Sequence, residues 1–287
     1  MNSIDFCNAS YGFREYELEE VFTACKEIGI RDVEIDAGWL LEESRNKIDL
    51  DASPEEIEAL LKLAKEHDVR VAALGAGAGV ALHGDTIDDN SDEIIRAIDL
   101  ADALGSPVIR VFTEHDFNHS KHYVLHTDQV TDALYDVLGV AFNTIGKYAQ
   151  EKDVLVGIEN HGGSSATGAS LRKLLDMVSF ESVGVTFDPA NFAIAGEDPY
   201  HALRLLEDRI VYTHWKDIHR TDKGLGYCAF GNGEIDWNPI ISRILDKYDG
   251  LWAIEFERKD DSTIETLKSG TLQSMDNLRS IIEDAKN

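Results

Sequence analysis

The sequence has 287 residues, of which 43% are hydrophobic and 28% charged, and its net charge is −27 at pH 7. This length is enough for one large core, and no linker-like stretch divides the chain, so we expect a single domain over residues 1–287. A surface this acidic repels nucleic acid and anionic membranes, which excludes both as expected partners. The expected ligands are neutral, cationic or bridged by a metal ion.

Cysteine usage and apolar runs indicate the compartment. Cys7, Cys25 and Cys228 are too sparse for a disulfide framework or a thiolate zinc site. The first residues lack a basic segment followed by an apolar core, so no signal peptide is predicted. The longest apolar stretch, Val71–Leu82, is interrupted by glycines and is shorter than the roughly 18 residues of a membrane span. We therefore expect a cytoplasmic protein, with a homo-oligomer left open.

Short apolar runs alternate along the chain with amphipathic segments. The apolar runs predict eight strands, at Ser3–Cys7, Asp32–Asp36, Val69–Leu74, Val108–Phe112, Val154–Glu159, Val183–Phe187, Ile210–His214 and Leu251–Phe256. The amphipathic segments predict helices, at Glu15–Gly29, Ser53–Ala64, Ser91–Leu104, Val124–Gln150, Ala169–Val178, Asp198–Leu206, Asn238–Leu245 and Thr263–Ala285. Strict alternation of strand and helix implies a parallel sheet with crossover helices.

Eight strand–helix units in a chain not far above about 250 residues predict a closed (β/α)8 TIM barrel of the α/β class. A doubly wound open sheet is the alternative. It has fewer strands and usually a glycine-rich turn after the first strand, which is absent after Cys7.

Four of the predicted strands end in a possible metal ligand, namely Glu159, Asp188, His214 and Glu255. The carboxyl ends of barrel strands converge on one face, so these side chains are expected to share a pocket. Three carboxylates placed together repel one another unless a cation is present. Three oxygen donors and an imidazole suit Mn²⁺, Co²⁺, Mg²⁺ or Zn²⁺. We predict one divalent ion per chain and favour Mn²⁺.

Each ligand also has a purely structural alternative. Asp188, which precedes a proline, can serve as a turn or cap residue. Glu159 and Glu255 can be neutralised by nearby basic side chains, and His214 can be a satisfied histidine at a strand end. We prefer the metal site, because the structural alternative requires four unrelated roles to occur by coincidence at four equivalent strand ends.

The motifs IENHGG, FDPAN, HWKD and EFER, in this order on these strands, resemble the xylose isomerase-like TIM-barrel superfamily. They look most like its sugar-phosphate isomerase/epimerase branch, which includes ketose 3-epimerases, hydroxypyruvate isomerase and inosose dehydratase. The resemblance implies that the four ligands hold one metal ion and that Glu159 and Glu255 are also the catalytic, proton-transferring pair. It further implies that Arg220, six residues after the ligand histidine, contacts substrate oxygens.

Two positions depart from the ketose 3-epimerase pattern. Asn191 stands where those enzymes usually have histidine, and Ser165 stands where they often have a carboxylate. Both departures weaken the epimerase interpretation without affecting the metal site. Endonuclease IV has the same fold, but it needs more histidines and a basic DNA-binding face, which the charge of −27 excludes.

Several further residues are candidates for substrate binding. His161 lies in a glycine-flanked loop two residues after Glu159 and can act as an acid or bind a hydroxyl. Lys216 can bind a substrate oxyanion, and Asp217 can orient His214. Glu34 ends the second strand, opposite the metal half of the rim, and can bind hydroxyls. Each of these has a structural role, such as a loop salt bridge, as its alternative.

The predicted activity is that of a metal-dependent isomerase or epimerase of a ketose or related polyhydroxy carbonyl compound. The metal would acidify a C–H beside a chelated carbonyl, and one glutamate would remove the proton to give an enediolate. If a β-hydroxyl left instead, the protein would be a lyase of the inosose dehydratase or 3-keto-glycoside type. A noncatalytic sugar-binding barrel is the alternative of another class. The glycine-rich segment Thr221–Asp236 has the composition of a movable lid.

Overall fold

The computed structural model describes residues 4–38, 44–77, 79–81, 88–115, 130–222, 224–257 and 263–286. Its strands, in chain order, are β1 (Phe6–Ala9), β2 (Asp32–Ala37), β3 (Lys47–Ile48), β4 (Arg70–Ala76), β5 (Val80–Ala81), β6 (Val108–Val111), β7 (Glu114–His115), β8 (Leu155–Glu159), β9 (Val183–Phe187), β10 (Ile210–Trp215), β11 (Asp217–Thr221), β12 (Gly224–Cys228) and β13 (Trp252–Ile254).

Eight of these strands form a closed parallel barrel within the described ranges. The order is β1-β13-β10-β9-β8-β6-β4-β2, and β1 pairs with β2 to close the ring. The predicted TIM barrel is therefore confirmed, and the open doubly wound sheet is wrong. The strands were recognisable because a parallel sheet covered by helices buries both of its faces and so has nearly continuous apolar runs.

Helices surround the barrel. In chain order they are α1 (Leu18–Ile28), α2 (Pro54–Glu66), α3 (Asp88–Leu104), α4 (Asp132–Lys152), α5 (Gly168–Leu175), α6 (Pro189–Ala195), α7 (Pro199–Leu206), α8 (Trp237–Ile244) and α9 (Ile264–Ala285). The Ser53 side chain accepts from the backbone N–H of Glu56, whose carboxylate accepts from the backbone of Ser53, so α2 begins with the predicted capping box.

Several predicted boundaries need correction. The first strand begins at Phe6, where its pairing with β13 starts, so the predicted positions Ile4 and Asp5 are not part of it, and Ser3 lies outside the described residues. The long helix α4 begins at Asp132, where the Thr131 side chain caps it; residues 124–129 of the prediction are outside the described chain. The short helix α6 was not predicted.

The barrel interior is apolar below its carboxyl end. Cys7, Ala73, Tyr212 and Ala253 are fully or almost fully buried there, in one small cluster. The Tyr212 hydroxyl donates to Cys7 Sγ over 3.6 Å, and the Tyr212 ring meets the His214 ring edge to face at 5.3 Å. This layer forms the floor on which the polar residues at the strand ends rest.

The segment predicted as a lid is partly regular. β11 and β12 form an antiparallel hairpin that pairs Asp217 with Cys228, and Gly224 to Cys228 falls within the predicted lid range. Asp217 holds the base of this hairpin, because it accepts hydrogen bonds from the backbone of Gly231 and Gly233 and from Trp237 Nε1. Whether the hairpin moves stays a prediction.

Within the described residues, no helix is both long and apolar enough to cross a membrane.

Candidate metal centre

The structure brings the four predicted metal ligands together. Glu159 ends β8, Asp188 follows β9, His214 lies near the end of β10, and Glu255 follows β13. All four are buried, and one ligand atom from each lies within 4.8 Å of the others. Ligands on opposite sides of a divalent ion with bonds of about 2.1 Å lie about 4.2 Å apart, so a small contraction would close the cluster around an ion.

The contacts of His214 are compatible with its predicted role as a metal ligand. Its Nε2 lies 2.8 Å from Glu34 Oε2, so this nitrogen can donate its proton to the carboxylate. Its Nδ1 lies 3.5 Å from both Glu159 Oε1 and Glu255 Oε2 and makes no hydrogen bond to any described residue. A histidine that donates one N–H to a carboxylate and presents the other nitrogen to a cluster of carboxylates matches the usual support of a metal-bound imidazole.

Glu34 rather than Asp217 therefore orients His214. The interpretation of Asp217 was wrong because all its hydrogen bonds in the described chain go to the hairpin base and the start of α8. As expected, Glu34 lies on β2, in the half of the ring away from the ligand strands β8, β9, β10 and β13, although it lies within β2 rather than at its end. Glu34 and His214 belong to strands that are not neighbours in the barrel, so they meet across its interior.

The contacts of Asp188 show the cap role and are compatible with the predicted ligand role. Its Oδ1 accepts from the backbone N–H groups of Ala190 and Asn191 at the start of α6. Its Oδ2 accepts no hydrogen bond within the described chain, although Lys216 Nζ lies 3.0 Å away. Burial raises the pKa of Asp188 to about 7, while the charge of Lys216 acts in the opposite direction. One oxygen thus fixes the side chain and the other remains for a cation.

Lys216 lies among the ligands. Its ammonium donates to Glu255 Oε2 at 2.8 Å and to Glu257 Oε1 at 3.3 Å. Burial alone would lower the pKa of Lys216, but Asp188 and Glu255 outweigh it and raise the pKa well above the usual value. The lysine neutralises only part of the carboxylate charge around it, and the atoms His214 Nδ1 and Asp188 Oδ2 still lack hydrogen bonds. The donor set therefore fits a divalent ion.

The two proposed catalytic glutamates are ionised at neutral pH. Burial would raise the pKa of Glu159, but Arg110 and His214 outweigh it and bring the pKa to about 2. Burial is likewise outweighed at Glu255, where Lys216 and His214 hold the pKa well below its usual range. Each carboxylate can therefore accept a proton from a bound substrate.

Arg110 was not identified from the sequence. It is 3% exposed, and its guanidinium lies 3.6 Å from both Glu34 and Glu159. The sequence signal was a lone charge inside the apolar run VIRV of β6. A charge at such a position must be paired, which identifies it as a polar-cluster residue.

The remaining predicted residues lie at the rim. His161 is exposed, and its ring centroid is 5.2 Å from that of Phe112. Arg220 lies on β11, donates to the Ala193 carbonyl at 2.8 Å and pairs with Glu234, and its side chain is 53% exposed. Roles in substrate binding for His161, Lys216, Arg220 and Glu34 stay predictions.

Comparison with known proteins identifies the family. Residues 22–281 match the model of the xylose isomerase-like TIM barrel family. Among curated proteins, an inosose dehydratase of Bacillus cereus (strain AH820) is 30% identical over 192 residues, which are 60% of this chain and 64% of that protein. This chain therefore spans slightly less than two thirds of that relative. An inosose dehydratase of Mesomycoplasma hyopneumoniae (strain 7448) is 25% identical over 80% of this chain and 81% of its own length.

Solved structures show the same fold. D-psicose 3-epimerase from Clostridium cellulolyticum H10, determined with D-tagatose, has a TM-score of 0.74 and 14% identity over 97% of this chain and 99% of its own. A xylose isomerase-like TIM barrel protein from Mycobacterium smegmatis in complex with magnesium has a TM-score of 0.77 and 14% identity, and it covers 98% of this chain and 100% of its own.

Proposed function

This chain belongs to the xylose isomerase-like TIM barrel family, and we propose that it is a divalent-metal-dependent enzyme that removes a proton beside the carbonyl of a polyhydroxy compound. The observation that carries the proposal is the buried cluster of Glu159, Asp188, His214 and Glu255, in which His214 Nδ1 and Asp188 Oδ2 have no hydrogen bond in the described chain. A noncatalytic sugar-binding barrel has no need for two ionised glutamates at such a site.

When bound, a divalent ion would polarise the substrate carbonyl and acidify the neighbouring C–H. The protein's own residues perform the proton transfer. Glu159 ends β8 and Glu255 follows β13, so the two carboxylates approach the cluster from different strands and a substrate bound there presents a different face to each. One carboxylate takes the proton from carbon. Glu34 holds the His214 ring, and Arg110 and Lys216 keep the two glutamates ionised.

Two outcomes of this first step are considered. Return of the proton to another carbon or face gives an isomer or epimer, which the two-sided placement of the glutamates supports. Loss of a β-hydroxyl, with transfer of a proton to the leaving oxygen, gives water and an unsaturated product. The curated relatives named above are inosose dehydratases, and Asn191, whose Nδ2 donates to Glu159 Oε1 at 3.3 Å, replaces the histidine of ketose 3-epimerases. We therefore favour the dehydratase outcome.

The metal identity is part of the proposal. Three oxygen ligands and one imidazole suit Mn²⁺, which we favour, while Mg²⁺, Co²⁺ and Zn²⁺ also accept this set. A panel of ketoses, inososes and 3-keto-glycosides in D₂O, with each metal in turn and with a chelator as control, tests the proposal by NMR. Deuterium uptake with loss of water indicates a dehydratase, and uptake with a rearranged sugar indicates an isomerase or epimerase. No uptake and no product with any metal would contradict an enzymatic function.

A further inference from the structure

A second polar cluster lies beside the metal ligands, and we call it the Asp36 cluster: Glu34 and Asp36 of β2, and Arg110 of β6. Strand register places Asp36, Gly75 and Arg110 side by side on β2, β4 and β6. A Cβ atom on Gly75 would lie 2.6 Å from Glu34 Oε1, 2.9 Å from Arg110 Nη2 and 3.2 Å from Asp36 Oδ1. Glycine at position 75 therefore leaves open the space over which three charged groups converge.

The Asp36 cluster has unused hydrogen-bonding capacity. Asp36 Oδ2 accepts from the Ser44 hydroxyl at 2.6 Å, which fixes the carboxylate. Asp36 Oδ1 and the Nε and Nη1 atoms of Arg110 make no hydrogen bond within the described residues, although the two residues are 0% and 3% exposed. Buried polar groups are almost always hydrogen-bonded. Within the described chain, one acceptor and two donors thus lie together without a hydrogen bond, although Arg110 Nε has an ion-pair contact with Glu159 at 3.6 Å, and this is the arrangement of a ligand subsite.

This subsite continues the metal centre. Arg110 joins the two, because its Nη2 lies 3.6 Å from Glu34 Oε1 while its Nε lies 3.6 Å from Glu159 Oε2. Glu34 in turn holds His214. A compound whose carbonyl lies at the metal ligands can therefore extend towards Asp36 within the same barrel interior.

The charge of the interior defines the compound. The described part of the network contains six buried or nearly buried carboxylates and three basic side chains, Arg110, Lys216 and His214, of which His214 would be neutral with a metal ion bound. The carboxylates are Glu34, Asp36, Glu159, Asp188, Glu255 and Glu257. Even with a divalent ion the carboxylates are in excess, so a phosphate or carboxylate on the substrate would be repelled. Hydroxyl groups, which donate to Asp36 and accept from Arg110, fit this environment.

The geometry points to Asp36 and Arg110 as a hydroxyl-binding subsite, and we infer that it selects an uncharged polyhydroxy carbonyl compound over its phosphate ester. The inference rests on the proposed function for the placement of the carbonyl. Asp36 Oδ1 accepts a hydrogen bond from a substrate hydroxyl, and Arg110 donates a hydrogen bond to the same or a neighbouring substrate oxygen. Neither residue itself accepts or donates the transferred proton, although Arg110 also keeps Glu159 ionised.

The first test compares matched ligands on the Mn²⁺-loaded wild-type protein. D-Fructose and D-fructose 6-phosphate, together with an inosose, are titrated by calorimetry. We expect each uncharged compound to bind at least tenfold more tightly than the phosphate ester. Equal or tighter binding of the phosphate ester would overturn the selection of an uncharged substrate.

The second test uses Asp36→Asn, which keeps the shape of the side chain but removes its charge. Asp32→Asn, on the same strand but paired with Arg70 at its other end, is the matched control. Loss of a hydrogen bond to a charged group should weaken binding of the best uncharged ligand and raise its KM by about 10- to 100-fold. Metal content, measured by elemental analysis, should stay at the wild-type level in both variants.

Monodeoxy analogues of that ligand then locate the contact. One analogue lacks the hydroxyl that donates a hydrogen bond to Asp36. Its affinity should be the same for the wild-type protein and for Asp36→Asn. If Asp36→Asn changes neither affinity nor KM, or weakens every analogue to the same extent, Asp36 is a structural charge only and the subsite is wrong. Should Asp36→Asn fail to fold, Ser44→Ala, which frees Asp36 Oδ2, replaces it with a smaller expected loss.

These measurements separate the two proposals. Binding that depends on Asp36, with no turnover or deuterium exchange for any compound, would contradict the enzymatic function and support the subsite. Turnover that is indifferent to Asp36→Asn would support the function and contradict the subsite.

Discussion

The decisive residues are those whose buried polar atoms lack a hydrogen bond in the described chain. Asp188 presents one oxygen to its own helix and the other to Lys216 and the cluster, so removing the carboxylate leaves both the helix start and the metal centre without it. His214 has no other role for Nδ1. These two residues therefore provide the cleanest test of the metal centre.

We predict that Asp188→Ala and His214→Ala each lose bound metal. A four-ligand site that loses one ligand binds a divalent ion far more weakly, by at least tenfold for changes at or near the site. Elemental analysis after dialysis should find about one ion per wild-type chain and much less than one in each variant. Circular dichroism serves as the folding control, and full occupancy in both folded variants would exclude these residues as ligands.

The two glutamates are predicted to divide the proton transfer. Glu159→Gln and Glu255→Gln should each lower kcat by about a hundredfold or more, because a positioned acid or base is typically worth that factor. The amide oxygen can still bind metal, so some metal should remain. One variant can keep deuterium exchange without net turnover, which would identify its glutamate as the group of the second step. A near-wild-type kcat in a folded, metal-loaded variant would leave that glutamate as a ligand only.

At the scale of elements, the sequence predicted those features that depend only on local patterns, namely the positions of strands and the residues at their ends. The strands from Val154 and Val183 were located to within a residue, because strands buried on both faces are continuous apolar runs. Their terminal ligands could be grouped because all barrel strands end on one face. Neither inference required knowledge of tertiary contacts.

The sequence could not indicate contacts made across the barrel interior. Glu34 and His214 are 180 residues apart, and their hydrogen bond depends on the closed ring. Arg110 was missed for the same reason, since its partners belong to other strands. The hairpin at Asp217–Cys228 has few apolar residues, and its base is fixed by the backbone of Gly231 and Gly233, which follow the hairpin in the chain.

The hairpin offers a prediction at this scale. Asp217 is buried, and its carboxylate accepts four hydrogen bonds, from Ile218, Gly231, Gly233 and Trp237. Asp217→Ala leaves these donors without an acceptor, and each unsatisfied buried donor costs about 1–3 kcal/mol. We expect the free energy of unfolding to fall by about 3 kcal/mol or more in urea titrations.

The control for this prediction is Asp222→Ala at the exposed turn of the same hairpin. It should change the free energy of unfolding by less than about 0.5 kcal/mol, as surface substitutions usually do. Equal stability of Asp217→Ala and wild type would mean that the hairpin base does not depend on the carboxylate.

For the whole molecule, the buried carboxylates make stability depend on pH. Burial raises the pKa of Asp36 and of Asp188 to about 7. An unfolded aspartate titrates near 3.9. Between about pH 4 and pH 7 the folded state therefore holds protons that the unfolded state has lost, and stability falls as pH rises, by up to about 1.4 kcal/mol per pH unit for each group. Glu159 and Glu255 change stability in the opposite direction, because their pKa values are lowered in the folded state and stability is lost as pH falls. Their effect lies below about pH 4.5.

Metal binding is predicted to oppose this trend. An ion binds only when Asp188 is ionised and His214 Nδ1 is unprotonated, and the pKa of His214 is raised well above its usual value because Glu34 and Glu255 outweigh burial. Affinity therefore rises with pH, and a ligand of the native state stabilises it more as its affinity increases. We expect the Tm of the metal-free protein to be higher at pH 5 than at pH 7.5, and the Tm gain from Mn²⁺ to be larger at pH 7.5.

Surface repulsion also destabilises an acidic protein as pH rises, since the net charge is −27 at pH 7. Salt distinguishes the two causes, because exposed charges are largely screened at 1 M ionic strength, where the Debye length is about 3 Å, whereas buried pairs are screened much less. The pH dependence in calorimetric melts should therefore persist in 1 M NaCl. Asp36→Asn, which cannot titrate at this position, should make the slope between pH 5 and pH 7 shallower while leaving the larger Mn²⁺ effect at pH 7.5. A slope that disappears in salt, or that Asp36→Asn leaves unchanged, would assign the pH dependence to the surface rather than to the barrel interior.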